Sequence, residues 1–275
     1  MSEIRTMDDV GVSAPKWRIR LYQGMLLSAT LGLWEFASDR WIRELWISRP
    51  ALIGKQLFEW FGDGYIYPHI AATIKVAAIG LGIGVVTGAV LGIIIGLYVQ
   101  LSELLSPLIS AAYTLPRVAL MPLLLVWFGF GATPVVALVV LMVFFVIFFN
   151  TRAGVENVDQ DLVNGMRVMG ASRFQIVKMV ILPSIVPFMI AAMLIATPYA
   201  LIGAIVGEIF IGNRGLGFLI ISSLGSLELT ETFATCVVVT ALGLITSVGI
   251  ARYGPRLLGQ NNATQSYSVG ALGEI

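Results

Sequence analysis

Residues 150–183 read NTRAGVENVDQDLVNGMRVMGASRFQIVKMVILP, a polar stretch set between two long apolar ones. It carries Arg152, Glu156, Asp159, Asp161, Arg167, Arg173 and Lys178. Its neighbours are apolar enough to sit in lipid, so the stretch between them belongs in water. The pattern suits a docking element. Gln160 to Met169 can form a short helix, and Gly170 permits the positive φ that ends one. Phe174, Ile176, Val177 and Val180 then restart an apolar pattern that leads into Leu182-Pro183. The reading is a helix, a pivot and the entry to the next membrane span. The plain alternative is an ordinary loop between spans.

Composition fixes the class. The 275 residues are 57% hydrophobic and 12% charged, with a mean hydropathy of +0.89. Soluble domains carry about 25% charged residues. An all-α integral membrane protein follows, because helices satisfy their own backbone groups where water is absent. A formal net charge of +1 gives no nucleic-acid signature. The one cysteine, Cys236, has no intrachain partner and reads as a packing residue. The one histidine, His69, stands at a span edge and reads as interfacial. Paired carboxylates, a His/Cys cluster and a nucleophile–base set are all missing from the spans, which argues against a membrane-embedded enzyme. Nothing resembles a cleavable signal peptide.

Six spans are expected. Residues 1–20 form a polar arm, read as disordered or interfacial, and residues 21–69 form the first transmembrane helix and an external loop. Trp34, Trp41 and Trp46 mark the outer interface of that span. Within the loop, Leu52, Ile53, Leu57, Phe58 and Phe61 give an amphipathic helix suited to the membrane surface. Residues 70–255 form the core around the loop 150–183, and 256–275 form a polar tail. Span two, 70–99, has glycines at 80, 84, 88, 92 and 96. Gly80, Gly84, Gly88, Gly92 and Gly96 line one stripe, the signature of tight helix packing. Span three, 103–128, is broken by Pro107, Pro116 and Pro122. Span four follows Thr133-Pro134, span five covers 184–207, and span six covers 231–253. Residues 208–230 read as a Gly-rich re-entrant or external segment. Arg5, Lys16, Arg18, Arg20, Arg152, Arg167, Arg173, Lys178, Arg252 and Arg256 all fall on one side of this arrangement. The positive-inside rule places that side, with both termini, in the cytoplasm.

The stretch 150–183 resembles the cytoplasmic signature of ATP-binding cassette importer permeases. That signature is Glu-Ala-Ala, three residues, Gly, nine residues, an apolar residue, any residue, then Leu-Pro. Here Gly170 is followed at that spacing by Val180, Ile181, Leu182 and Pro183, while Asn164-Gly165-Met166 stand where Glu-Ala-Ala is usual. TLPRVALMPLLLVWFGFG, 114–131, and GEIFIGNRGLGFLI, 207–220, are similar to the nitrate/sulfonate/taurine branch. The resemblance implies a type I importer permease of six transmembrane helices with a cytoplasmic coupling helix. It implies docking on a separate ATPase through Asp161, Asn164, Gly165, Arg167, Gly170, Ala171, Ser172, Arg173, Leu182 and Pro183. ATP and Mg would lie on that ATPase, with no cofactor on this chain. The remaining partners implied are an extracytoplasmic solute-binding protein, a second permease subunit, read as a second copy with a different permease as the alternative, and the lipid bilayer.

Pathway candidates come from the broken spans. Arg117 beside Pro116 either attracts an anionic solute or bonds the carbonyls freed by the break. Tyr113, Thr114, Met121, Thr197 and Tyr199 either line the pathway or pack. Glu208, at a membrane edge, serves a subunit contact, a gate or simple solvation. The expected function is import of a small anionic solute such as nitrate, a sulfonate or taurine; the sequence does not identify the substrate, and bicarbonate and a vitamin precursor stay among the candidates. The competing class is an ATP-independent carrier or channel, which predicts ion-binding clusters and an inverted repeat. Neither is visible in the sequence.

Overall fold

The computed structural model describes residues 16–38, 40, 44–211 and 213–257, and its regular elements are helices. They are α1 (Lys16–Ala37), α2 (Glu44–Ile47), α3 (Pro50–Gly62), α4 (Tyr67–Leu97), α5 (Val99–Thr114), a 3₁₀ turn (Arg117–Leu120), α6 (Met121–Phe128) and α7 (Ala132–Glu156). There follow α8 (Gln160–Val168), α9 (Arg173–Ile176), a π turn (Val177–Ile181), α10 (Leu182–Ile211), α11 (Leu216–Gly225) and α12 (Leu229–Leu257). The arm before residue 16, Trp41 and the tail beyond 257 lie outside the described residues.

Glycine decides the centre of the fold. α4 and α7 pack along their length, and each stripe glycine of α4 meets the residue 59 positions on, from Gly80 against Val139 to Gly96 against Val155. The constant offset means that the two helices run parallel. A Cβ on Gly80 would lie 2.5 Å from Val139 Cβ, on Gly84 2.8 Å from Val143 Cβ, and on Gly88 2.7 Å from Phe144 O. On Gly92 it would lie 2.8 Å from Phe148 O, and on Gly96 2.8 Å from Val155 Cβ. No side chain fits at such distances, so the helices approach only because the stripe lacks Cβ atoms. Gly82, off the stripe, has nothing within 4 Å of its Cβ position.

α10 crosses α7 in the opposite sense. Gly207 meets Val135, Gly203 meets Val139 and Met142, and Gly154 meets Phe188. Ala192, Ala196, Ala200 and Ala204, again spaced by four, are buried in the same core with Leu138, Val139, Val143 and Ile147. Small residues thus do for α7–α10 what glycines do for α4–α7. Dispersion between closely packed backbones is the force available in lipid, where burial from water gives none.

α4, α7, the continuous helix Arg173–Ile211 and Leu229–Arg252 are each long and apolar enough to cross a membrane. α5 and the segment Arg117–Phe128 are together apolar enough for a further span and are bent by 82° at Leu115-Pro116, the geometry of a broken span or a re-entrant loop. The first expected span forms α1, which Arg20, Gln23 and Glu35 make less apolar than the others. Glu35 Oε2 accepts the Ala51 N–H at 3.0 Å, tying α1 to the start of α3.

Within the segment 208–230, expected as re-entrant or external, α10 continues to Ile211 and α11 packs back against α10, α4 and α12. The face of α3 expected at the membrane surface is divided. Ile53, Leu57 and Trp60, at i, i+4 and i+7, pack into a second cluster with Ile66, Leu216, Leu219, Ala234 and Val238, while Phe58 and Phe61 stay exposed. The sequence reading grouped Ile53 and Leu57 with Phe58 and Phe61 and passed over Trp60, whose placement sets the buried stripe.

Candidate functional site

The loop after α7 is held by a succession of caps. The Asp159 carboxylate accepts the Asp161 N–H at 2.8 Å and starts α8. α8 ends where Met169, Gly170 and Ala171 N–H groups donate to Gly165, Arg167 and Met166 carbonyls at 3.1, 3.0 and 3.0 Å. Gly170 has φ +78°, the left-handed cap that glycine adopts without strain. Ser172 then starts α9 with a capping box: its N–H donates to Gln175 Oε1 at 2.7 Å, and Gln175 N–H donates to Ser172 Oγ at 3.3 Å. Ser172 is thereby a structural cap.

The inner face of α8 is glued down and its outer face is bare. Val163 is buried with Val155, Val158, Ile176, Ile181 and Ile185, and Met166 and Ala171 pack against them. Asp161, Asn164, Gly165, Arg167 and Arg173 all face out. Arg167 Nη1 donates to Asn164 Oδ1 at 3.4 Å. Leu162, Val168, Met169 and Phe174 are exposed too, Val168 by 90% and Met169 by 83%. The sequence reading did not select Leu162, Val168 and Met169. The signal was present in the helix period, because burying Val163 and Met166 turns Leu162 and Val168 outward.

Leu182-Pro183 shapes the way into the membrane. Pro183 has no N–H, and its ring opposes the carbonyl four residues back. The backbone widens into the π turn Val177–Ile181, where Leu182 N–H donates to Val177 O. Ser184 Oγ donates to Val180 O at 2.7 Å. Leu182 and Pro183 themselves are exposed.

The pathway candidates separate into two groups. Tyr113, Thr114 and Arg117 meet at the bend of the broken span. Arg117 Nη2 donates to Tyr113 O at 3.2 Å, and its guanidinium lies 4.8 Å from the Tyr113 ring and 4.9 Å from the Phe145 ring. Arg117 therefore caps a carbonyl that α5 leaves free. Its Nε is buried without a hydrogen-bond partner. Thr114 Oγ1 donates to Ala111 O at 2.8 Å. Tyr199 reaches the surface as well. Met121, by contrast, is fully buried in the core, and Thr197 is buried with its hydroxyl donating to Met193 O at 2.9 Å.

Glu208 is not solvated at an edge, as one reading allowed: it is 5% exposed. Its Oε2 accepts from Thr73 Oγ1 and from Gly217 N–H, each at 2.9 Å. Thr73 Oγ1 in turn accepts the Leu216 N–H at 2.9 Å. His69 Nδ1 lies 3.2 Å from Gly215 O and 3.3 Å from Gly215 N, and the His69 ring stacks on Phe218. A Cβ on Gly215, at φ +109°, would collide with the Glu208 carboxylate. Sequence reasoning left His69 as interfacial and did not select Thr73. No spacing rule joins residues 135 positions apart.

Residues 84–258 match the family model described as binding-protein-dependent transport system inner membrane component. The chain belongs to this family. The permease is 34% identical over 197 residues to the riboflavin transport system permease protein of Chloroflexus aurantiacus, with 72% of each chain covered. It is 28% identical over 253 residues to the taurine transport system permease protein of Escherichia coli, covering 88% of the permease and 92% of that protein. Among solved structures, the inward-facing MetNI methionine ABC transporter superposes with a TM-score of 0.61 at 19% identity, over 70% of the permease and 95% of that chain. That likeness gives the fold of a type I importer permease. The permease is thus a multi-pass, all-helical membrane subunit of an ATP-driven importer. The family match takes in the caps of α8, the π turn and Glu208, and begins after His69 and Thr73.

Proposed function

We propose that the permease carries a small anionic solute across the cytoplasmic membrane and that α8 is its coupling helix. It docks in a cleft of a separate cytoplasmic ATP-binding subunit, which holds ATP and Mg. An extracytoplasmic binding protein delivers the solute, and a second copy of the permease completes the pathway. Both termini and the loop 157–172 face the cytoplasm, with α1 as the first of six spans, as the basic residues on that side support. The observation that carries this reading is the outer face of α8. Val168 and Met169, beside Leu162, stand in water at the end of a helix whose angle is fixed by two sets of caps. An apolar face held rigidly in water is a surface prepared for a partner. The anionic solute is supported by the guanidinium of Arg117 at the bend of the broken span.

The test is copurification with the ATP-binding subunit. Val168→Asp with Met169→Asp puts two charges into the docking face, where burial of each native side chain is worth about 1.5–3 kcal/mol. The variant is expected to fold normally, to lose the ATP-binding subunit on purification, and to lose solute-stimulated hydrolysis. A variant that copurifies and hydrolyses ATP as the wild type does removes α8 from the interface.

A further inference from the structure

The helix Arg173–Ile211 runs unbroken for 39 residues, about 58 Å at 1.5 Å per residue. One end is the Ser172 cap of the loop after α8. The other carries Glu208, where three elements meet: α10 through Glu208, α4 through His69 and Thr73, and the first residues of α11 through the Gly215, Leu216 and Gly217 backbone. This meeting point also lies between two packed bodies, which touch besides where α11 and α12 pack on α10. The first is the α4–α6–α7–α10 core around Val139 and Ala196. The second joins α3, α11 and α12 around Trp60, Leu219 and Val238.

We propose that the Glu208–Thr73–His69 knot is the mechanical joint between these bodies. Movement of the coupling loop, carried along α10, reaches the α3–α11–α12 body through it. The inference rests on the coupling role of α8 and adds what happens at the far end. An apolar contact between the bodies would let one slide over the other at little cost. Buried, directional hydrogen bonds do not, because each displaced donor or acceptor is left unpaired. Glu208 accepts from both α4 and α11 on one oxygen, and Thr73 accepts the Leu216 N–H, so α11 leaves the α4–α10 pair only by breaking the Gly217–Glu208 and Leu216–Thr73 bonds together. The glycine at 215 adds closeness: the carboxylate occupies the space a Cβ would need. Glu208, Thr73 and His69 are on this account positioning residues for transport.

The experiment uses the permease assembled with its ATP-binding subunit in lipid nanodiscs. Spin labels are placed through Ile202→Cys on α10 and Leu224→Cys on α11, both exposed positions, in a Cys236→Ser background. In the wild type the distance between the labels should be the same without nucleotide and with ATP plus vanadate. Thr73→Val, nearly isosteric, should make it shift by about 2 Å or more or broaden on nucleotide binding. Uptake in proteoliposomes should fall about tenfold while ATP hydrolysis persists, the mark of a broken transmission. Glu208→Leu should do the same, and Glu208→Gln, whose amide oxygen still accepts both bonds, should restore both readouts. A wild-type distance that changes with nucleotide overturns the joint. So does Thr73→Val with wild-type distances and uptake, and this variant decides alone if Glu208→Leu does not assemble. A wild-type complex without ATP-driven uptake overturns the importer reading and the joint with it.

Discussion

Arg117 is held by a backbone carbonyl on one side and two aromatic faces on the other, which leaves part of its donor fork uncommitted. Capping requires one N–H; attracting an anion requires the charge. Arg117→Gln separates these requirements. We expect the complex to assemble and the solute concentration for half-maximal uptake to rise about tenfold, the equivalent of one charge-assisted contact of about 1.4 kcal/mol. An unchanged concentration curve assigns Arg117 to the cap alone. The residues were legible in the sequence to unequal degrees. A charge beside a proline in an apolar run announces itself, so Arg117 was found. Glu208 was found as a charge, with solvation left among its readings. What buries it comes from Thr73 on α4 and from the α11 backbone, neither of which is near in sequence.

Among the elements, α4 makes the sharpest prediction. Gly84→Leu must displace Val143, which already lies 2.8 Å from the position of the missing Cβ, whereas Gly82→Leu projects into open space. Overpacking costs about 1–3 kcal/mol even where neighbours can yield. Gly84→Leu should therefore lower the yield of assembled complex and its melting temperature in detergent, and Gly82→Leu should match the wild type. Equal yields for both would remove tight packing as the reason for the stripe. The turn after α8 makes a second prediction. Nothing lies within 4 Å of a Cβ at Gly170, so the objection to a side chain there is the backbone angle of +78°. Gly170→Val should add about 1–3 kcal/mol of local strain and re-aim α8. Stimulated hydrolysis and uptake should fall together while expression holds; normal values for both would show that this corner tolerates another path. The helix 160–168, its glycine stop and the break at Pro116 were legible because caps, glycine and proline act locally. The buried stripe of α3 was not, since it depends on α12, which opposes the helix; the π turn was passed over although its cause, Pro183, stands in the sequence.

For the whole molecule, orientation is the open quantity, and two glycines can report it. Gly62 and Gly165 are exposed, lie at opposite ends of the core, and leave room for a side chain. In a Cys236→Ser background, Gly62→Cys should react with an impermeant thiol reagent in intact cells and Gly165→Cys should react only after lysis. The reverse result inverts the topology. The parallel pair at the centre has a further property. Its contacts recur every four residues, as evenly as the teeth of a comb, and a comb fits its partner again after a jump of one tooth. Slid by one such step, about 6 Å, four of the five glycines would still face a residue of the partner row. The stripe therefore sets how near the helices stand and is almost indifferent to where along each other they stop. Register has to be chosen by something that occurs once. Thr73, Glu208 and Gly215 meet at a single place, so a chain that docks α4 one step out of phase keeps its close packing and loses that meeting, which makes the knot the proofreader of the fold.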